Sequence, residues 1–174
     1  MMQPPEVTIR QFEERDSPRV RELFVKINRL LAPPNMREAF EAYIERSLVE
    51  EIDRISDYYG RRGGGFWVAV RDQQIVGMFG LESAGTGSFE LRRMYVDRFA
   101  RRRGIASTML RFAEGECRRL GARRMELSTS ELQSAAIAFY ERAGYALVRE
   151  AVAVDASNKT VGGGIRRYYF EKVL

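Results

Sequence analysis

The stretch FELRRMYVDRFARRRGIASTML, residues 89–110, decides the fold, because it predicts a β-strand, a basic turn and the start of a helix in succession. Gly104 and Ala106 leave the backbone nearly bare where the helix begins, so several N–H groups point outward at the positive end of the helix dipole. Three arginines precede the glycine, and guanidinium groups are suited to bidentate contact with phosphate oxygens. The turn therefore predicts a pyrophosphate site.

The strand before this turn does not keep a strict alternation of apolar and polar residues. Leu91 is followed by Met94 and Val96, so that Arg92 and Arg93 occupy a place where a period of two expects one residue. An extra residue of this kind predicts a β-bulge.

The spacing of the turn disfavours ATP and NAD, because the chain contains neither G-x-x-x-x-G-K-[ST] nor G-x-G-x-x-G after a strand. It contains [RQ]-x-x-G-x-[GA] after a strand that ends at Val96, and SAAIAFYERAGY, residues 134–145, further on. Together these motifs resemble the GNAT superfamily of acyl-CoA-dependent N-acyltransferases. A basic loop that only caps a helix is the alternative.

The resemblance implies acetyl-CoA as the cofactor. It assigns the pyrophosphate to the turn, that is, to Arg101, Arg102, Arg103, Gly104, Ile105 and Ala106. The corresponding strand of the family is bulged, splays from its neighbour and bonds the pantetheine arm through its backbone, which implies Met94, Tyr95 and Val96 here. Gln133 falls where many relatives carry an asparagine that bonds the cofactor, and a glutamine can make a similar bond.

Two residues are candidates for catalysis. The resemblance places a proton donor at Tyr140, near the cofactor's sulfur, and a phenol with a pKa of about 10 can hydrogen-bond or protonate a departing thiolate whose pKa is about 8.5. The acceptor amine must lose a proton before it attacks, and without histidine a carboxylate or a water chain is the candidate. Glu90 is the first choice and Glu126 the second, while a backbone N–H near Met94 could stabilise the oxyanion. A packing role for Tyr140 and a solvated one for Glu90 are the alternatives.

Composition fits one domain, residues 1–174, since 45% of the residues are hydrophobic. The formal net charge of +5 suits an anionic ligand without requiring nucleic acid. The single cysteine excludes an internal disulfide, and the absence of histidine excludes the usual zinc sites and Ser-His triads, so no metal is expected. The helical pattern places Cys117 on a buried face, as a core residue.

No apolar run approaches the roughly 20 residues that span a bilayer, and MMQPPEV, residues 1–7, lacks a signal-peptide core. The sequence therefore predicts a cytoplasmic protein without a membrane segment.

The order of predicted elements is a strand, two helices, a hairpin, a βαβα unit and two final strands. It predicts an α/β fold: a single-domain, GNAT-like, mixed and mostly antiparallel seven-stranded sheet with helices on both faces and splayed central strands. The first helix starts at Asp16 or Ser17, and its apolar face includes Leu30. A second, longer helix is predicted over residues 36–59 with Gly60 as its cap, and DASNKTVGGG, residues 155–164, is a polar loop.

The function that the resemblance implies is acetyl transfer from acetyl-CoA to a primary amine of a small molecule, by direct attack on the thioester. Residues 56–82 also resemble the Camello-like branch, whose members acetylate small amino-acid-type acceptors. Animal members carry a membrane segment where this chain has Pro33 and Pro34, so substrate identity is not carried over.

Three alternatives stay open: a protein or peptide N-acetyltransferase, a non-catalytic acyl-CoA-binding module, and a nucleic-acid-binding protein. Recognition motifs around the arginines are missing, which disfavours nucleic acid. A homodimer is also left open.

Overall fold

Seven strands form one sheet in the computed structural model, which describes residues 6–101 and 104–174. They are β1 Thr8–Gln11, β2 Gly65–Arg71, β3 Gln74–Ser83, β4 Ser88–Val96, β5 Arg124–Ser130, β6 Ala146–Ala153 and β7 Ile165–Val173. The spatial order is β1-β2-β3-β4-β5-β7-β6, and β4 and β5 are the parallel pair in an otherwise antiparallel sheet. The predicted mixed, mostly antiparallel architecture is confirmed.

Five α-helices of the described residues cover the two faces of this sheet. They are α1 Ser17–Leu31, α2 Arg37–Glu50, α3 Ile55–Arg61, α4 Ile105–Arg119 and α5 Ser134–Arg142. Alternate residues of a strand point to opposite faces, so Val68 and Met78 join the core under α1, α2 and α3, whereas Trp67 and Phe79 join the core under α4 and α5. In the described part of the chain, no helix is both long enough and apolar enough to cross a membrane.

Helix α1 follows the apolar pattern of the sequence. Asp16 is its N-cap residue and Pro18 lies in its first turn, where a missing N–H is harmless. Leu23 and Phe24 are fully buried, and burying such a side chain contributes about 1.5–3 kcal/mol. The assignment of Leu30 to this face is wrong, because Leu30 is 56% exposed.

The single helix predicted over residues 36–59 is also wrong. Helix α2 ends at Glu50, a 3₁₀ turn occupies Ile52–Arg54, and α3 begins at Ile55. The backbone of Glu51 leaves the helical region, with φ −139° and ψ −63°, and its carboxylate is fully buried against the sheet. Gly60 lies inside α3, so it is not the cap.

The predicted bulge in β4 is confirmed by the strand register. On β3, Met78 pairs with Tyr95 and Gly80 pairs with Arg92, so β4 carries one extra residue between these pairs. Within this stretch Arg93 adopts a φ of +54°, a left-handed conformation that is unusual for a residue with a side chain.

Strand β4 separates from β5 beside this bulge. The two strands pair only between residues 88–90 and residues 124–126. Beyond that point β4 and β5 share no ladder among the described residues, which confirms the expected splay of the central strands.

Glu51 joins the helices to the bulge. Both carboxylate oxygens accept hydrogen bonds from Arg93, from Nε and Nη2 at 2.9 Å each, and Arg92 Nη2 donates to Oε1 at 3.0 Å. The Tyr59 hydroxyl donates to Oε2 at 2.7 Å. One buried carboxylate thus neutralises part of two buried guanidinium charges.

We expect Glu51→Gln to lower the free energy of unfolding by about 3–5 kcal/mol, because it leaves the buried Arg93 without an anion and leaves Arg92 with Glu82 alone. Urea titration followed by circular dichroism measures this change. Glu50→Gln, at the adjacent exposed position, is the matched control and should shift stability by no more than about 0.5 kcal/mol. Equal stability of Glu51→Gln and Glu50→Gln would contradict the assignment of Glu51 as the anion that stabilises the buried arginines.

Low pH should weaken the same ion pairs, because it protonates the Glu51 carboxylate. Burial alone would raise the pKa of Glu51, but the charges of Arg93 and Arg92 outweigh burial and lower the pKa from 4.5 to about 2. Because the pKa is lower in the folded state, the stabilisation is complete above about pH 4.5 and is lost as the pH falls towards 2. The stability gap between the parent and Glu51→Gln should therefore narrow by about 2 kcal/mol between pH 7 and pH 3.

Candidate functional site

A cleft of about 120 Å³ lies where β4 and β5 separate. Its walls come from β4, β5, β7, α1, α2 and α5, and from the loop of residues 155–164. Backbone groups of β4 beyond residue 90 face this cleft without a ladder partner on β5 among the described residues. The cleft is therefore lined by free backbone donors and acceptors as well as by side chains.

The predicted anion turn leads into helix α4. Gly104 is the N-cap residue, with φ +73° and ψ 7°, and apart from its immediate neighbours in the chain no described residue lies within 4 Å of the position that a Cβ would take. The N–H groups of Ile105 and Ala106 belong to the first turn of the helix, which has no intrahelical partners for them. This end of α4 can therefore receive an anion through its backbone.

The arginines of the turn are described only in part. Arg101 is exposed and donates from Nε to the carbonyl oxygen of Val96 at 3.3 Å. Arg102 and Arg103, which the sequence assigns to the pyrophosphate, lie outside the described residues.

Met94 lies within the bulge of β4, and Tyr95 and Val96 follow it. Met94 and Tyr95 line the cleft from opposite faces of the sheet. The Met94 sulfur lies 3.6 Å from the Tyr140 hydroxyl. The ring of Tyr95 packs near that of Phe24, with centroids 6.3 Å apart, on the side of helix α1. The cleft consequently passes through the sheet.

Tyr140 lies on α5 and its side chain reaches the cleft, as the sequence predicts. It is 8% exposed, and its ring packs between those of Tyr145 and Phe170. Its hydroxyl donates to the Met94 sulfur, a weak acceptor and the one acceptor that the described residues offer it. Burial raises the pKa of Tyr140, so the phenol keeps its proton at neutral pH and can donate it into the cleft.

Glu90 lines the same cleft at its edge, next to the last paired residues of β4. Its Oε2 lies 2.8 Å from Lys159 Nζ, and Lys159 also contacts Glu82 at 2.7 Å. The second-choice base, Glu126, accepts a hydrogen bond from the Ser88 hydroxyl at 3.2 Å and lines a neighbouring cavity. Glu90 is thus the better placed carboxylate, though an ion pair holds it.

Gln133 directly precedes α5 and lines the cleft. Its Oε1 accepts a hydrogen bond from the Thr129 hydroxyl at 3.0 Å, which fixes the amide and leaves its NH₂ group to donate. The position is compatible with a contact to a ligand in the cleft.

The 155–164 loop also lines the cleft, although the pattern of its residues predicts only a polar loop. The Asn158 amide donates to Glu51 Oε1 and to the Tyr58 hydroxyl, each at 3.1 Å, and the Asn158 carbonyl accepts from both bulge arginines. Glu51, Arg92, Arg93 and Asn158 therefore form one ionic cluster, which anchors the loop against the cleft. The sequence feature that could have indicated this cluster is the pair of adjacent arginines in an apolar strand, because two buried guanidinium groups need a counter-charge.

Cys117 lies in the core, as expected. It is fully buried, its Sγ is 3.6 Å from the Met125 sulfur, and burial raises the pKa of the thiol to about 12. A thiol in this state is protonated at neutral pH and is a poor nucleophile.

The chain is similar in sequence to known acetyltransferases. A family model described as the acetyltransferase (GNAT) family matches residues 30–145. N-acetyltransferase 8 of Homo sapiens is 28% identical over 115 residues, 63% of this chain and 51% of that protein. N-acetylaspartate synthetase of Danio rerio is 32% identical over 116 residues, 66% of this chain and 41% of that protein. The chain spans about half the length of these curated relatives.

A solved structure shares the fold at nearly full length. The PaiA N-acetyltransferase of Thermoplasma acidophilum, in complex with coenzyme A, aligns with 97% of this chain and 99% of its own, with a TM-score of 0.73 and 21% identity.

We expect Gly104→Val to weaken acetyl-CoA binding at least about tenfold, because a side chain would stand where the N–H groups of the turn receive an anion. Gly121→Val is the matched control, since Gly121 follows the other end of α4 with φ +82° and equally open surroundings. Both variants should lose about 1–2 kcal/mol of stability from left-handed strain. Isothermal titration calorimetry that finds equal affinity in the two folded variants would contradict a cofactor site at this turn.

Proposed function

The chain belongs to the acetyltransferase (GNAT) family, and we propose on that premise that it transfers the acetyl group of acetyl-CoA to a primary amine of a small molecule, by direct attack on the thioester. Family membership confirms the expected acyltransferase class and acetyl-CoA as the family's acyl donor. The match to N-acetyltransferase 8 is consistent with the Camello-like branch. The observation that carries the proposal is the buried, protonated phenol of Tyr140 in the cleft between the splayed strands.

The described residues fit coenzyme A at two places. Gly104 adopts a left-handed conformation with open space beside it at the start of α4, which suits a pyrophosphate. The separated strands leave backbone N–H and C=O groups of β4 without ladder partners, which suits the amide-bearing pantetheine arm. When bound, acetyl-CoA supplies the acetyl group as an activated thioester.

In the proposed reaction, three groups of the chain act on three different atoms of the reactants. Tyr140 holds a proton on its hydroxyl for the thiolate that leaves, and its burial keeps that proton in place before the reaction. Glu90 accepts the proton of the acceptor ammonium, directly or through water. A backbone N–H near Met94, on the unpaired edge of β4, donates to the oxygen on which negative charge develops.

The 155–164 loop supports a small acceptor. Its Asn158 is bonded to the α2–α3 junction and its Lys159 to Glu82 and Glu90, so these contacts hold the loop as one wall of the cleft and limit the room for an acceptor. One relative is named for the acetylation of aspartate, a small amine. A thiol-release assay with acetyl-CoA across amino acids, polyamines, aminoglycosides and peptides tests this. Peptides as the better acceptors would favour the protein N-acetyltransferase, and acetyl-CoA binding without turnover would favour the non-catalytic module.

We expect Tyr140→Phe to lower kcat by about 10²- to 10⁴-fold, equivalent to about 3–5 kcal/mol of barrier, while the KM for acetyl-CoA changes little. Tyr145→Phe is the control, because Tyr145 is equally buried with its ring 5.8 Å from that of Tyr140, and its hydroxyl bonds Glu114 outside the cleft. This control should keep its kcat. A Tyr140→Phe rate within about threefold of the parent would exclude the phenol as the acid.

We expect Glu90→Gln to lower kcat/KM near neutral pH, with a loss that shrinks as the pH rises, because more of the acceptor amine is then already neutral. Lys159→Gln distinguishes the loss of the base from the loss of the ion pair, because it removes the partner of Glu90 and leaves the Glu90 carboxylate in place. It should cost less activity than Glu90→Gln. Equal losses with the same pH dependence in both variants would reduce Glu90 to a structural partner of Lys159.

A further inference from the structure

Arg167 is a cleft residue that the chemistry above does not use. It lies on β7, paired in register with Ser130 of β5, and it lines both the cleft and a neighbouring cavity of about 490 Å³. Its Nη2 donates to the Ser128 hydroxyl at 2.8 Å, which is the one side-chain hydrogen bond that the described residues give it. Most of the N–H donors of this guanidinium are therefore available to a ligand.

The other cations that line the cleft are paired with carboxylates of the chain. Arg92 and Arg93 bond Glu51, and Lys159 bonds Glu82 and Glu90. Arg167 forms no ion pair with a carboxylate of the described residues, and Ser128 is its one side-chain partner there. Three cations thus share three carboxylates, and Arg167 is a fourth cation with no anion of its own.

The unpaired charge of Arg167 is unfavourable in free energy, and an anionic ligand that pairs with it would remove this unfavourable contribution. Arg167 is partly buried, so its charge has lost part of its hydration; this burial lowers the pKa of Arg167, yet a guanidinium remains charged at neutral pH. A partly desolvated cation is unfavourable until an anion pairs with it. One guanidinium matches an anion of single charge, and its planar fork matches the two oxygens of a carboxylate.

The position of Arg167 indicates which substrate would carry that carboxylate. Tyr168 and Phe170 of β7 pack into the core that contains Tyr140, so Arg167, by strand alternation, points to the opposite face of the sheet. On that face the cleft is lined by Tyr43 of α2 and by the 155–164 loop. The phenol and the guanidinium thus approach the cleft from opposite faces.

Resting on the proposed function, we propose that Arg167 binds a carboxylate of the acceptor, so that the acceptor is an amino acid or another amine that carries a carboxylic acid. Arg167 is then a specificity-determining residue. The Ser128 hydroxyl orients its guanidinium.

Matched acceptors test this directly. Each amino acid is compared with its own carboxamide, which keeps the amine and removes the negative charge. Arg167→Gln should lower kcat/KM for the acids by roughly 10- to 100-fold, mainly through KM, and change kcat/KM for the carboxamides by less than about threefold. Because the variant-to-parent ratio is taken separately for each acceptor, the different basicity of the two amines cancels. Equal losses for acids and carboxamides would overturn the proposal.

Two further variants, Arg167→Lys and Ser128→Ala, test the proposed carboxylate contact independently. Arg167→Lys retains the charge and loses the fork, and should recover part of the preference for acids. Ser128→Ala keeps the arginine and removes its hydroxyl partner, and should weaken that preference by a few fold even if Arg167→Gln does not fold. Phosphoethanolamine compared with β-alanine distinguishes a phosphate from a carboxylate, and a preference for the phosphate would overturn the assignment.

A binding measurement separates this inference from the proposed function. N-acetyl amino acids and their N-acetyl carboxamides are titrated into the parent and into Arg167→Gln, and the shift in melting temperature is recorded. Stabilisation by the acids alone, lost in the variant, supports the carboxylate site even if no amine is acetylated. Thiol release with amines that lack a carboxylate, together with no preference for the acids in binding, would overturn the site and leave acetyl transfer intact.

Discussion

The carboxylate of Glu51, buried between Arg92 and Arg93, is the interaction on which the site depends. Two adjacent guanidinium groups cannot be buried without an anion, because the loss of their hydration costs several kcal/mol each. Arg93 also occupies a left-handed conformation, which costs about 1–2 kcal/mol and persists only where other contacts hold it. The bidentate bond to Glu51 supplies such a contact, so one ion pair joins the break after α2 to the bulge in β4.

The bulge in turn shapes the cleft. Pairing between β4 and β5 stops at residues 90 and 126, and the extra residue of β4 lies just beyond, where it bends the strand away from its neighbour. The same arginines bond the carbonyl oxygen of Asn158, so the cluster that bends β4 also anchors the 155–164 loop. Cleft and loop are therefore held by a shared set of contacts, and a change at Glu51 should affect both.

Local patterns predicted most of the fold, and the error in the second helix lies where residues distant in sequence determine the structure. The break in alternation at Arg92 and Arg93 marked the bulge, and the motif around Gly104 marked the start of α4. The helical spacing of apolar residues continues through Ile52 and Ile55, so no local feature of the sequence predicts that the helix ends at Glu50. That information resides in arginines about 40 residues away, and the partners of Asn158 and Lys159 are likewise remote in sequence.

The environment of Tyr140 limits how it can act as an acid. In water a phenol with a pKa of about 10 is a weaker acid than a thiol of about 8.5, so full transfer of its proton to a thiolate would be uphill by about 2 kcal/mol. Burial raises the pKa of the phenol further, but the same low-dielectric cleft also disfavours a thiolate beside it, so desolvation acts on both partners in the same direction. In the proposed reaction, Tyr140 would therefore act by donating a hydrogen bond that strengthens as negative charge develops next to it, and not by full proton transfer. Such a bond stabilises the transition state more than the ground state, which is the condition for an effect on kcat.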